Sequence, residues 1–540
     1  GAREVFCRGQ KSRRRDSSIS SSHQGLAPTR TRPGSEMEFF LKAQSRKKLM
    51  FFPASMKGHL VHTARISEWF LEHPEEYEVH ICASPDCEEW LPQGIVFHAN
   101  NKSQLCKDFE KVFTAVSEGL TQMDSLRIMF SQMDFNRITE GTLEALAKVK
   151  EVKPDVVIYE HAYNISNAMQ TLLVQMSIPG IMMVAMARPE SALSLSTIFA
   201  LLFRSPRATY KVMSAVSSSK KIFEDAIGAP LLAEDCKPPT MYPGEHSLAG
   251  LPIAPHELYT GPFYPLPIDR LTSPTKSGRH LLRSTSSRFS MDYASFEPKF
   301  AQWVEARRQE GLPIIYIALG TLAMPSTALL ERMVAALDGG NWAVIWACPE
   351  AHQARLPAFA HPSRWFVHKF LPQAAIFQQG FVKAFVSHCG GSSTTEAISN
   401  GIPMVCVPFF GDQYEWAESI CSHVQAGVRI DKTRSSAGDI RSAVQDVVTN
   451  KKYITNAEAA MGRMTSNAKM RLDFLGPKLA GIPRRVGIPV AAAAIENCLN
   501  GKDPLDVLPD GMRFKPKPAS NVGICGCFAG LVKAPGSAGQ

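Results

Sequence analysis

Apolar runs separated by amphipathic stretches begin at Leu49 and recur as far as Leu499. Leu49–Phe52 reads as a short buried strand and Pro53–Gly58 as a turn. His59 then opens a helix with Leu60, Ile66, Trp69 and Phe70 on one face. Glu78–Cys82 and Pro154–Tyr159 (PDVVIY) are further strand signals, with a helix expected near Asn164–Gln175 and another apolar run at Gly180–Ala185. Strands alternating with helices predict a parallel, doubly wound sheet. Between about Lys237 and Met291 regularity fails, and Pro, Gly and Ser dominate. Part of that stretch is expected to close the first domain and the rest to be a flexible linker.

A second α/β pattern starts with the strand Ile314–Leu319 and the turn Gly320–Thr321. Ser326 is placed to cap a helix carrying Leu329, Leu330, Met333, Val334 and Leu337 on one face, stopped by Gly339–Gly340. Strands follow at Ala343–Ala347, Ala384–Ser387 and Met404–Val407, and Ala491–Leu499 is the last helix. The expected organisation is a disordered basic tail (1–48), an N-terminal domain (49–265), a linker (266–295), a C-terminal domain (296–500) and a loose tail (501–540).

Composition changes this picture little. Hydrophobic residues are 45% and charged residues 20%, as in ordinary globular proteins. The net charge is +9, but residues 1–48 carry twelve Lys and Arg against four Asp and Glu, or +8. The body is therefore nearly neutral, and no nucleic-acid partner is expected. With Met37 just ahead of the first patterned segment, residues 1–36 read as upstream sequence. The twelve Cys lack metal or disulfide spacing and read as reduced packing residues of a cytoplasmic protein, Cys525 and Cys527 being incidental in the tail. No stretch reaches the roughly 18–20 apolar residues that a membrane span needs. The start lacks the apolar core of a secretory signal.

The densest chemistry lies in 366–413, which reads as strand, glycine loop, helix, strand and polar loop. The strand AFVS ends at His388, and Gly390–Gly391 let the backbone pass close to a ligand. Ser392, Ser393 and Thr394 open a helix, whose unpaired N-terminal amides suit a phosphate or diphosphate. His388 adjoins that anion site, and Glu396 is placed to accept from ribose hydroxyls.

These residues resemble the UDP-dependent glycosyltransferases, a family that includes plant secondary-metabolite, animal detoxifying and sterol glucosyltransferases. FLPQ (370–373), HCGGSSTTE (388–396) and GDQ (411–413) stand in the family's order and near its spacing. YTGP (259–262) and IALGT (317–321) are weaker echoes, and PASMKGHL (53–60) is similar to the family's catalytic loop. The resemblance implies an α/β protein of two facing Rossmann-like domains (GT-B) with a central cleft, and a last helix packing back on the first domain. It implies that Phe370 stacks on uracil and that Gln373 holds the polar edge of that base. Thr321, His388, Ser392 and Ser393 would contact the diphosphate around Gly390, Glu396 the ribose, and Asp412 and Gln413 the sugar. His59 would be the general base, oriented by Glu160 where the family usually has Asp. Phe370 replaces the usual Trp, and Gly391–Ser392 replaces a Trp-Asn pair common in plant members.

The implied activity is inverting transfer of a hexose, glucose by the resemblance, from a UDP-sugar to a hydroxyl of a small apolar acceptor. No cofactor or metal is expected, and the partners are the UDP-sugar and the acceptor, with room for peripheral membrane contact. His62 and His161 are rivals for the base. The Met-rich stretch 181–203 reads as acceptor pocket or as plain core. Rival functions are a sterol or lipid glucosyltransferase, favoured by PFFGDQ (408–413), a UDP-sugar epimerase, and a silent UDP-sugar-binding subunit.

Overall fold

The computed structural model describes residues 46–102, 134–161, 167–184, 206–233, 235–249, 253–263, 298–476 and 487–513, with isolated positions between 124 and 132. Residues from Arg46 onward form one compact unit. The linker 266–295, Cys525, Cys527, residues 1–45 and most of 181–203 lie outside the described residues.

The first half is a seven-stranded sheet in the order β3-β2-β1-β4-β5-β6-β7. Its strands are β1 (Lys47–Phe52), β2 (Tyr77–Ala83), β3 (Val96–Ala99), β4 (Val156–Glu160), β5 (Gly180–Met183), β6 (Thr240–Tyr242) and β7 (Glu257–Tyr259). All pairings are parallel. Parallel strands are covered on both faces and so read as continuous apolar runs, which is why LMFF and VVIY stand out. The helices are α1 (Lys57–Leu71), α2 (Phe135–Val152), α3 (Ala168–Met176), α4 (Pro206–Ile227) and α5 (His246–Ala249).

The second half is a six-stranded sheet in the order β10-β9-β8-β11-β12-β13. It comprises β8 (Ile314–Ala318), β9 (Ala343–Ala347), β10 (Trp365–His368), β11 (Val382–Ser387), β12 (Met404–Cys406) and β13 (Gly427–Arg429). These strands are again parallel. Its helices are α6 (Pro298–Gln309), α7 (Thr327–Leu337), α8 (Glu350–Gln353), α9 (Gln373–Gln378), α10 (Gly391–Ile398), α11 (Gln413–Glu418), α12 (Ala437–Thr449) and α13 (Lys451–Leu475). Ser326 caps α7, accepting from the Leu329 amide at 3.2 Å.

α14 (Gly487–Leu499) returns to the first sheet, where Ile488, Val490, Ala491 and Ile495 share a core with Leu49, Phe51, Leu60 and Ile66. Each fully buried Val, Ile, Leu or Phe among these contributes about 1.5–3 kcal/mol. A second link is ionic. Arg471 on α13 donates twice to Glu245, at 2.7 and 2.9 Å, and both are buried. Asn467 adds a third bond to the same carboxylate at 2.8 Å. Removing one partner of such a pair costs about 3–5 kcal/mol, because the other charge stays buried.

Three expectations are corrected. Lys47 and Lys48 belong to β1 rather than to a tail. The irregular stretch after Lys237 contains β6, β7 and α5, elements of three or four residues that are too short to show a period. The segment after Gly501 is not loose at first, because Val507 and Leu508 are buried in the core of the first sheet.

Candidate active site

In each sheet the strand order reverses at its middle, between β1 and β4 and between β8 and β11. Open parallel sheets bind ligands beyond the carboxyl ends of strands at such a switch. The site residues collect at both places.

In the first sheet, β1 leads through Pro53–Met56 into α1, and Glu160 is the last residue of the neighbouring β4. This brings His59 Nδ1 to 2.5 Å from Glu160 Oε1. The other carboxylate oxygen accepts from the Ala54 amide at 3.0 Å. Burial alone would raise the Glu160 carboxyl. The His59 charge and hydrogen bond, the nearby His161 and the Ala54 amide outweigh burial and hold it at about 2. An ionised Glu160 therefore accepts Nδ1–H, so Nε2 is the nitrogen that carries the lone pair in the neutral imidazole. The His59 side chain is 17% exposed and that of Glu160 is 0%, so only the imidazole meets solvent. His161 follows Glu160 directly, and burial lowers its pKa.

In the second sheet, β8 ends at Ala318, in register with Ser387 of β11. Beyond these ends lie Gly320–Thr321 and His388. A Cβ on either Gly320 or Gly390 would stand 2.6 Å from His388 Nε2, so only glycine lets both turns close on the imidazole. Cys389, between His388 and Gly390, is a non-glycine residue at φ 64°. Such a backbone costs about 1–3 kcal/mol and persists where the surroundings impose it. Burial lowers the His388 pKa to about 4, against an opposing pull from the Ala318 backbone. His388 is therefore a neutral hydrogen-bonding group near pH 7.

Gly390 precedes α10 without a side-chain cap, so the first-turn amides face the loop. Gln373 Nε2 donates to Glu396 Oε2 at 2.6 Å and to Ser393 Oγ at 3.3 Å, which gathers three of the expected residues into one cluster. Phe370, three residues ahead of Gln373, is 40% exposed, so its ring is open to solvent. Thr321 is exposed at the turn after β8, and Asp412 stands half-buried at the start of α11. Gln413 is buried instead. Its Oε1 accepts from the amides of Phe409 and Phe410 at 2.8 and 3.2 Å, so that oxygen holds the loop. Lys432 Nζ fixes the same loop at the Phe409 carbonyl, 2.9 Å away, a contact with no signal in the motif.

One contact joins the halves at the site. His62, one turn beyond His59 on α1, is buried, and its Nε2 lies 3.0 Å from Ser392 Oγ on α10. Among the described residues, no group of three or more His, Cys, Asp or Glu gathers as a metal-binding set. Among them too, no helix is long and apolar enough to cross a membrane.

Residues 292–465 match the family model described as UDP-glucoronosyl and UDP-glucosyl transferase. An anthocyanidin 3-O-glucosyltransferase of Vitis vinifera is 29% identical over 154 residues, 28% of this chain and 33% of that protein. An ecdysteroid UDP-glucosyltransferase of Lymantria dispar multicapsid nuclear polyhedrosis virus is 32% identical over 148 residues, 27% of this chain and 28% of that protein. The matched stretch spans about a third of the first of these relatives. Among solved structures, the calicheamicin glycosyltransferase CalG4 aligns at a TM-score of 0.57 and 14% identity, over 85% of this chain and 99% of that one. A UDP-glucose: anthocyanidin 3-O-glucosyltransferase in complex with UDP aligns at 0.54 and 17%, over 84% and 100%. At such identities the likeness establishes the fold. Residues 292–465 thus match the UDP-glucoronosyl and UDP-glucosyl transferase family model, in a chain whose fold is that of the GT-B glycosyltransferases.

Proposed function

We propose that this protein is an inverting glycosyltransferase that moves a hexose, glucose in the first instance, from a UDP-sugar to a hydroxyl of a small, fairly apolar acceptor. The observation that carries the proposal is the His59–Glu160 pair at 2.5 Å, on the half of the molecule opposite the glycine loop and the α10 N-terminus. His59 Nε2 takes the acceptor proton as the acceptor oxygen bonds to the anomeric carbon. The bond from that carbon to the diphosphate oxygen breaks on the opposite face. Glu160 fixes the tautomer and stabilises the imidazolium, as the carboxylate of a catalytic triad does. Neutral His388, the α10 amides and the Ser392 and Ser393 hydroxyls receive the charge that UDP carries away. Phe370 stacks on uracil, Gln373 and Glu396 hold base and ribose, and Thr321 and Asp412 face the rest of the donor. Gln413 contributes by shaping the sugar loop.

An apolar acceptor agrees with relatives named for anthocyanidins and an ecdysteroid. A sterol or hydroxy-lipid is the second acceptor class, favoured by the resemblance of PFFGDQ to that branch of the family.

The test is transfer by the purified chain, with UDP-glucose, UDP-galactose and UDP-glucuronate each offered to phenols, sterols and hydroxy-lipids. A β-linked product from an α-linked donor, with one UDP released per product, is expected. An α-linked product would overturn inversion. UDP binding without transfer or donor hydrolysis would leave only a silent binder.

A further inference from the structure

His62 has no part in the chemistry above, yet it makes the contact that crosses the site. It is 1% exposed, and its ring meets the buried Phe263 edge-on at 5.6 Å between centroids, so it has little freedom to turn. Burial first, and then the charges of Arg65 and His59, hold its pKa at about 3 against the pull of Glu160. It therefore presents one N–H and one lone pair at neutral pH and carries no positive charge there.

Ser392 is the second residue of α10, in the turn whose amides have no partner within the helix. A hydroxyl has one proton and two acceptor lone pairs. Against a bound anion the serine proton must point at the anion, since a lone pair there would be repelled. The lone pair facing His62 Nε2, 3.0 Å away, then accepts a hydrogen bond from the imidazole N–H. A hydroxyl that accepts one hydrogen bond becomes a stronger donor in the next.

On the reading under Proposed function, we propose that His62 is a positioning residue: its Nε2–H orients the Ser392 hydroxyl toward the diphosphate, so that full stabilisation of the departing UDP requires the two halves of the cleft to be in contact. His62 touches neither acceptor nor donor. It acts through Ser392, and it ties the helix bearing the base to the helix bearing the anion site. A rival role as base is disfavoured by geometry, because its Nε2 is already engaged and its ring is sealed from solvent.

The test compares His62→Phe, which keeps the ring packing and loses the donor, with His62→Gln, whose terminal amide carries an N–H at a similar reach. Ser392→Ala and the double variant His62→Phe/Ser392→Ala complete a cycle. UDP and uridine dissociation constants are measured by calorimetry, and kcat by UDP release. A hydrogen bond to a charged group implies a loss of about tenfold or more in UDP affinity for His62→Phe and Ser392→Ala, with uridine unaffected. His62→Gln should recover most of that loss, and the double variant should be no weaker than Ser392→Ala. A parallel fall in UDP and uridine affinity, or losses that multiply in the double variant, would show a packing role only and overturn the proposal. Wild-type protein that binds neither ligand would remove the transferase reading as well, an outcome distinct from either.

Discussion

Glu160 is fully buried, where a lone carboxyl would ordinarily stay neutral, and its charge survives because His59 and the Ala54 amide both donate to it. The consequence for stability has a definite sign. The unfolded carboxyl titrates near 4.5 and the folded one near 2, so its stabilisation is present above about 4.5 and lost as pH falls through about 2. His62 loses its favourable contribution in a milder window. The unfolded chain takes up this proton below 6.5 and the folded chain only near 3, so stability declines as pH drops across that window, by up to about 1.4 kcal/mol per pH unit. Urea titrations from pH 7 to pH 4 should show that decline, with a slope shallower by about one proton in His62→Phe. For catalysis, Glu160→Gln should cut kcat by about 10²–10⁴-fold, since the amide keeps one acceptor oxygen for two donors, the His59 Nδ1–H and the Ala54 amide, and loses the charge. Glu160→Asp, the usual family residue, should retain more activity than Glu160→Gln. The reverse order would mean that Glu160 does not orient His59. At this scale the motif made His59, His388, Gln373 and Glu396 legible as residue types in sequence. It gave no hint of the His62–Ser392 bond, because residues 330 positions apart on different sheets leave no local pattern. Nor did it show that the Gln413 side-chain oxygen would bond the loop backbone at Phe409 and Phe410.

The glycine loop and α10 form the element on which the donor side depends. Both Gly320 and Gly390 press against one imidazole, so Gly390→Ala must displace His388 by the width of a clash, with overpacking of about 1–3 kcal/mol. UDP affinity should fall by about tenfold or more while the far-ultraviolet circular dichroism stays native. An unchanged dissociation constant would detach His388 from the anion site. Elements were legible where their period was long enough to see. β1, β4, β8, β11 and the capped α7 were read to within about two residues at their ends. The three-residue strands β6, β7 and β13 were hidden, since alternation needs more positions to appear. The 25-residue α13 was also missed, because its mixed Ala and charged sequence has no broad apolar stripe. α12 did carry a readable signal in the capping box Ser436–Asp439, where the serine and the acid bond reciprocally to each other's backbone amides.

On the proposed function the chemistry is divided between two sheets, with His59 as the base after β1 and the diphosphate at the turn after β11. α14 returning to the first sheet and the buried Glu245–Arg471 pair hold the halves together away from the cleft. Two doubly wound patterns were visible in the sequence, so the α/β class followed from strand–helix alternation, while the facing two-domain arrangement came from the family resemblance. The return of α14 was implied by the family resemblance, whereas the ionic link was not visible, because it joins positions 226 apart and Glu245 lies in a stretch rich in Pro and Gly. A base on one half and a donor site on the other can be separated by a single change, His59→Ala, read by UDP calorimetry and by transfer from UDP-glucose on the same preparation. UDP should bind within about twofold of wild type while turnover falls by about 10²–10⁴-fold. Full transfer by His59→Ala, or a loss of UDP affinity as large as the loss of turnover, would contradict the assignment of His59 as the base.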